Sequence, residues 1–239
     1  MCIRDRFGYE WILISGQTSV DQAFAKAVRR AAKRFGAKII DDITWEFKPG
    51  ARRTDTGHVT EQQVIPSATQ TRDYDFAIVA DEADHFGEYL SYRTFRPRPI
   101  GGTQGLVPTS WHRSHEQWGG TQLQRRFKKL ADRDMTPRDY SAWVAMRAIG
   151  EAVVKANSGD SSEIRAALFD PKFKLAAFKG VPLTFRTWNG QLRQPILVSG
   201  PKALITVSPQ RQFLHERSPL DTLGYDLPDS LCEEFSSIE

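Results

Sequence analysis

The stretch WILISGQTSVDQAFAKAVRRAAKRFGAKIIDD, residues 11–42, reads as strand, helix and strand in succession, and it decides the fold class. Residues 11–15 form a short apolar run and residues 16–19 a polar turn; Phe24, Ala27, Val28, Ala31 and Phe35 then recur at helical spacing. Gly36 stands just past the last periodic residue, where a left-handed cap ends a helix, and residues 37–40 resume as an apolar strand. A βαβ unit requires a parallel sheet, so the chain is α/β. Ligands of open parallel sheets bind at the carboxyl ends of the strands, which points to Gln17, Thr18 and Ser19. These three are either ligand donors or a cap for a helix beginning at Asp21, with Ser19 as the N-cap in both cases.

Working outward, residues 44–53 are irregular and polar, and residues 59–68 form a weaker helical segment ending near Pro66. Residues 74–80, YDFAIVA, are continuously apolar after Asp75, as a strand buried on both faces should be. They run into Asp81, Glu82, Asp84 and His85. A short helix over residues 86–92 and a strand over residues 98–102 follow, and the turn carrying Gly101, Gly102 and Gly105 presents Thr103 and Gln104. Three strands thus end in polar loops. From residue 107 the strands give way to helices. Leu123, Phe127 and Leu130 mark a one-sided helix behind Gly119 and Gly120, and Thr136, Pro137 and Asp139 form a capping start signal for the next. That helix, residues 140–156, is apolar on most sides and is expected to be largely buried. A helix over residues 161–169 and strands over 183–186, 194–199 and 203–207 complete the chain, with Asn189-Gly190 and Gly200-Pro201 as turns.

The 239 residues are 40% hydrophobic, enough for one large core or two modest ones. The 33 basic and 29 acidic residues leave a net charge of +4, and Lys26, Arg29, Arg30 and Lys33 lie on one helix as solvated surface. A nucleic-acid partner would call for a denser basic stripe with exposed aromatics, so none is assigned. Cys2 and Cys232 sit at opposite ends and encode neither a disulfide framework nor a CxxC site. No apolar run approaches the roughly 20 residues of a membrane span. The opening MCIRDR reads as a non-native start, with a signal peptide lost upstream.

His112, His115 and Glu116 invite a metal reading, but Gly119 stands where the second histidine of a zinc-protease helix is needed, and no metal is assigned. The Asp81, Glu82, Asp84 group follows a buried strand directly. Its carboxylates can take a ligand ammonium or hydroxyl, bind a cation, or simply favour the positive end of the next helix. There is no GxGxxG, no phosphate loop ending in Lys and Ser or Thr, and no GxSxG elbow, which favours binding without chemistry, with neither catalytic residue nor cofactor. Among the tryptophans, Trp143 reads as core and Trp111 as the better pocket residue.

The segments AFAKAVRRAAKRFGAKII, DYDFAIVADEADHFGEYL, TQGLVPTSWHRSHEQWGGTQLQ, MTPRDYSAWVAMRAIGEAV and WNGQLRQPILV resemble the substrate-binding component of ABC transporters, of the branched-chain amino-acid receptor type with the type I periplasmic binding fold. They are most similar to the subgroup associated with pyrroloquinoline-quinone (PQQ)-dependent alcohol catabolism. The resemblance covers residues 11–231. It implies two lobes joined by three crossings, with residues 1–10 as the non-native start and residues 11–106 as a near-complete parallel-sheet lobe two. Residues 107–187 would be the helical return segment of lobe one, 188–232 the crossing back with terminal strands, and 233–239 a tail. It further implies a periplasmic protein that closes on a small molecule and docks on a membrane permease. The ligand would meet Gln17, Thr18, Asp81, Glu82, Thr103 and Gln104 by position. With the upstream lobe absent, weak ligand binding and self-association are expected.

Two rivals share this fold class. An α/β enzyme would use Asp81 or Glu82 as acid or base, and a regulatory module would sense a ligand with the same architecture.

Overall fold

The computed structural model describes residues 10–47, 56–233 and 235, so all but Glu10 of the expected non-native start and most of the tail lie outside the described residues. The chain divides into two compact units, one ending at Pro108 and the other beginning at Thr109.

Unit 1 alternates strand and helix: β1 (Glu10–Ser15), α1 (Ser19–Phe35), β2 (Lys38–Thr44), α2 (His58–Ala68), β3 (Phe76–Ala80), α3 (Gly87–Arg93) and β4 (Ile100–Gly102). The four strands form one parallel sheet in the order β2-β1-β3-β4. The apolar run of β1 is continuous because both faces of the sheet are covered. Leu13 points to the side where Ala25, Phe24 and Val28 of α1 pack, whereas Ile12 and Ile14 face Ile65 of α2, Leu90 of α3 and its N-cap Phe86. Ile12, Leu13, Ile14, Ile65 and Leu90 are fully buried, each contributing about 1.5–3 kcal/mol of apolar burial.

Helix α1 ends as its sequence dictates, with Gly36 at φ 76°. Its start corrects the expectation for Ser19. Thr18 is the N-cap: its hydroxyl accepts from the Asp21 amide at 3.2 Å while the Asp21 carboxylate accepts from the Thr18 amide at 3.1 Å. The helix therefore begins one residue earlier than a Ser19 cap would allow, and Ser19 is its first, exposed residue. Pro66 sits inside the last turn of α2, so that helix runs past the proline to Ala68.

Unit 2 begins in β5 (Val107–Thr109), which spans the division, and continues with α4 (Gly120–Ala131), α5 (Pro137–Ala156) and α6 (Ser161–Phe169). Two antiparallel pairs follow, β6 (Thr184–Phe185) with β7 (Leu192–Arg193), and β8 (Ile196–Ser199) with β9 (Leu204–Ser208). Helix α5 starts as the sequence signals, with Pro137 in the first turn and a reciprocal Thr136–Asp139 capping box. Arg133 adds a bidentate pair at 2.6 and 2.8 Å that holds the Asp139 carboxyl well below the usual range. The expectation that α5 is largely buried is not met. Only Tyr140, Val144, Ala148 and Ala152, one stripe at a spacing of four, are buried, whereas Met146, Ile149 and Val154 are exposed. Propensity and apolar content set the helix, but the described residues of unit 2 cover a single face of it.

Two buried cations, Arg186 and Lys179, organise the rest of unit 2. Arg186 and Arg193 both donate to Asp221, at 2.9 and 2.7 Å, tying the β6–β7 pair to a late 3-10 turn. Lys179 is 2% exposed, donates to the Ser110 carbonyl and sits 4.9 Å from the centre of the Tyr140 ring. Burial pushes its pKa from the ordinary 10.5 down to about 8. In that interval the unfolded chain holds the extra proton, so the penalty is fully present below the folded value and lifts as the pH rises towards 10.5. The folded protein should therefore gain about 3 kcal/mol from this group over the interval. Urea denaturation at pH 7.5 and at pH 10 is expected to show the gain, and Lys179→Met should remove it.

Candidate site at the carboxyl edge of the parallel sheet

In unit 1 the loops after β1, β3 and β4 leave the same edge of the sheet, and hydrogen bonds stitch them together. Asp21, completely buried, accepts from the Glu82 amide at 2.7 Å as well as from Thr18, joining the first turn of α1 to the loop after β3. The Thr103 hydroxyl accepts from the Asp81 amide at 2.9 Å, and the Gln104 amide group donates to the Asp81 carbonyl at 2.8 Å and to the Asp84 carboxylate at 3.3 Å. Gly102, at φ +125°, makes this approach possible: a Cβ there would stand 2.1 Å from the Val79 carbonyl oxygen. The structure thus brings Gln17, Thr18, Asp81, Glu82, Thr103 and Gln104 to one rim.

Their roles within the rim differ. Asp81 is 1% exposed, and its carboxylate accepts from three backbone amides, His85 at 3.0 Å, Phe86 at 2.8 Å and Gly87 at 2.7 Å. Of the three readings of the acidic cluster, the helix-start reading accounts for this residue. Thr103 and Gln104 are half-buried and spend their polar atoms on the loops, and Glu82 is exposed.

A cleft of about 270 Å³ opens at the same edge, lined by Gly16, Gln17 and Thr18 after β1, Trp45 and Phe47 after β2, and His85 and Phe86 after β3. Trp45 and Phe86 are buried and stack with centroids 5.0 Å apart; Phe47 and His85 are half-buried and stack at 4.5 Å. The Trp45 indole nitrogen donates to the buried carboxylate of Glu61. The sequence passes over Trp45 and Phe47 as site residues and shows His85 only as the end of the acidic cluster. The signal available was Trp45-Glu46-Phe47, two rings at a spacing of two directly after a strand, in a segment taken as irregular and polar.

Trp111, expected in the pocket, is a core residue of unit 2. It is 1% exposed, stacks on Tyr140 at 4.8 Å and donates from its indole nitrogen to Gln124 at 3.0 Å. His115 is buried, with Nε2 2.8 Å from the Phe178 carbonyl, and burial lowers its pKa; His112 pairs with Ser114 at 2.6 Å. Among the described residues no group of three or more His, Cys, Asp or Glu gathers to hold a metal ion, and no helix is long and apolar enough to cross a membrane.

No protein-family model and no curated protein matches the sequence. Solved structures do match in fold. The leucine-, isoleucine-, valine-, threonine- and alanine-binding protein from Brucella ovis, in its closed conformation, superposes with a TM-score of 0.62 at 14% identity over 84% of this chain and 55% of that one. A branched-chain amino acid ABC transporter periplasmic ligand-binding protein from Burkholderia xenovorans gives 0.64 at 13% identity, covering 91% and 61%. A solute-binding protein of an ABC transporter from Rhodopseudomonas palustris, in complex with 3,4-dihydroxybenzoic acid, gives 0.54 at 12% identity, covering 80% and 55%. The chain spans less than two thirds of the length of these proteins. What it shares with them is the α/β fold with a parallel sheet of type I periplasmic binding proteins.

Proposed function

We propose that this chain, with the fold of type I periplasmic binding proteins, is a solute-binding component of an ABC transporter that works in the periplasm and takes a small molecule at the carboxyl edge of the unit 1 sheet. The observation that carries this reading is the convergence of three polar turns beside one cleft, at the edge where open parallel sheets hold ligands. Residues 11–106 act as the ligand-binding lobe, residues 107–187 as the return segment of lobe one, and residues 188–232 as the crossing back. Closure shifts the hinge by differential affinity, and the closed form docks on a permease. Motifs such as PRDYSAWVAMRAIGEAV and NGQLRQPI support a finer placement, among receptors serving PQQ-dependent alcohol catabolism. Gln17 and Thr18 keep their place as ligand contacts, and Glu82 belongs to the rim. The enzymatic alternative loses its physical ground at Asp81, whose carboxylate is taken up by three amides.

The test is a titration of the chain with small alcohols, carboxylic acids and amino acids, followed by tryptophan fluorescence and by mass spectrometry of the recovered solute. One class is expected to bind at a single site and return unchanged, with Gln17→Ala weakening it about 5-fold or more, the loss of one polar contact. Conversion of the solute, or no binding from any class, would refute the proposal.

A further inference from the structure

Building on the solute-binding reading, we propose that the unit 1 cleft selects a planar, single-ring aromatic solute, which lies against the Phe47–His85 stack and turns its polar substituent towards Gln17 and Thr18. The wall is aromatic in two layers. Trp45 and Phe86 form the inner one, nearly parallel at 19° and buried; Phe47 and His85 form the outer one, also at 19°, and both residues are half-buried. Next to Phe47 lies His58, its ring centroid 6.0 Å away and its Nδ1 2.8 Å from the Tyr89 hydroxyl, so the outer layer adjoins further rings. Besides the His85 imidazole, the polar side chains of the described lining lie in the turn after β1, where Gln17 is exposed and Thr18 half-buried.

The lining and the room it leaves point to a class. The described lining residues offer ring faces and hydrogen-bonding groups, which suit a ring carrying a polar substituent. The cleft, at about 270 Å³, has room for a single ring against this wall. Stacked rings reward a π-face over a saturated ring of equal bulk, because an aromatic quadrupole prefers an offset or edge-on aromatic partner.

The test compares benzyl alcohol with cyclohexylmethanol, which share a hydroxymethyl group and ring size and differ in aromaticity, with leucine as a third probe. Each is titrated into the full chain by nuclear magnetic resonance, reading the indole N–H signals and the probe's ring protons. Benzyl alcohol is expected to bind about 5-fold or more tighter than cyclohexylmethanol, with upfield ring-proton shifts. Phe47→Leu, which keeps apolar bulk and removes the ring, should cut that preference below 2-fold while the circular dichroism spectrum stays unchanged. Equal affinities for the two alcohols, or a preference that survives Phe47→Leu, would overturn the proposal. Leucine bound in place of both alcohols would overturn ring selectivity and leave the solute-binding function standing. If no probe binds, and none of the broader solute classes does, both fall together.

Discussion

An Asp81→Ala variant is expected to lose about 3–5 kcal/mol of stability in unit 1, from buried amide groups left without a partner at roughly 1–3 kcal/mol each. The three donors are the amides of His85, Phe86 and Gly87, within 3.0 Å of the carboxylate, and Phe86 and Gly87 are themselves buried. Domains of ordinary stability hold about 5–15 kcal/mol in reserve, so the loss consumes a large share of it. Phe86 is also half of the inner ring stack, so solute affinity should fall with the fold. Urea denaturation checks the magnitude. Hydrogen exchange locates it: the three amides should lose protection first. Asp81→Asn keeps one acceptor oxygen and places an amide donor where the other stood, so it should recover only part of the loss. A destabilisation below about 1 kcal/mol, the worth of a single ordinary hydrogen bond, would contradict the capping role.

Trp111→Ala is expected to cost about 3–5 kcal/mol in unit 2, the range for deleting a large aromatic from a packed core. The indole is stacked on Tyr140, meets the His115 ring edge-on at 5.3 Å and holds Gln124, so truncation opens a cavity and leaves a buried amide group short of a partner. Trp111→Phe restores the stack but not the N–H donor, and should recover all but about 1–2 kcal/mol. Thermal denaturation of both variants separates packing from hydrogen bonding. A pocket residue would behave differently, with little change in stability and a large one in solute affinity.

The parallel sheet was legible in the sequence because its signals are local and mutually consistent: the apolar run of β1, the periodic face of α1, Gly36, and the uninterrupted apolar stretch of β3. The rim was legible for the same reason, since strand order and direction place the loops whatever their composition. What the loops do was not. A carboxylate after a strand looks alike whether it faces a ligand or its own backbone, and only the three amides folded over Asp81 decide the matter. The ring wall was hidden by a different cause. Phe47 and His85 are 38 residues apart, as their numbers show, and no periodicity links positions that meet only across a sheet edge. Trp111 and helix α5 went astray because apolar content sets how much surface a segment wants to hide, not which neighbour hides it.

Asp21 holds the start of α1 and the peptide after Asp81 with one carboxylate, so the two rigid elements are bolted before any guest arrives. Under the proposed function, such a wall is a fixed jaw. It forfeits little order on capture, its footprint should look alike empty and filled, and the travel needed to trap a molecule falls to whatever meets it from the opposite side.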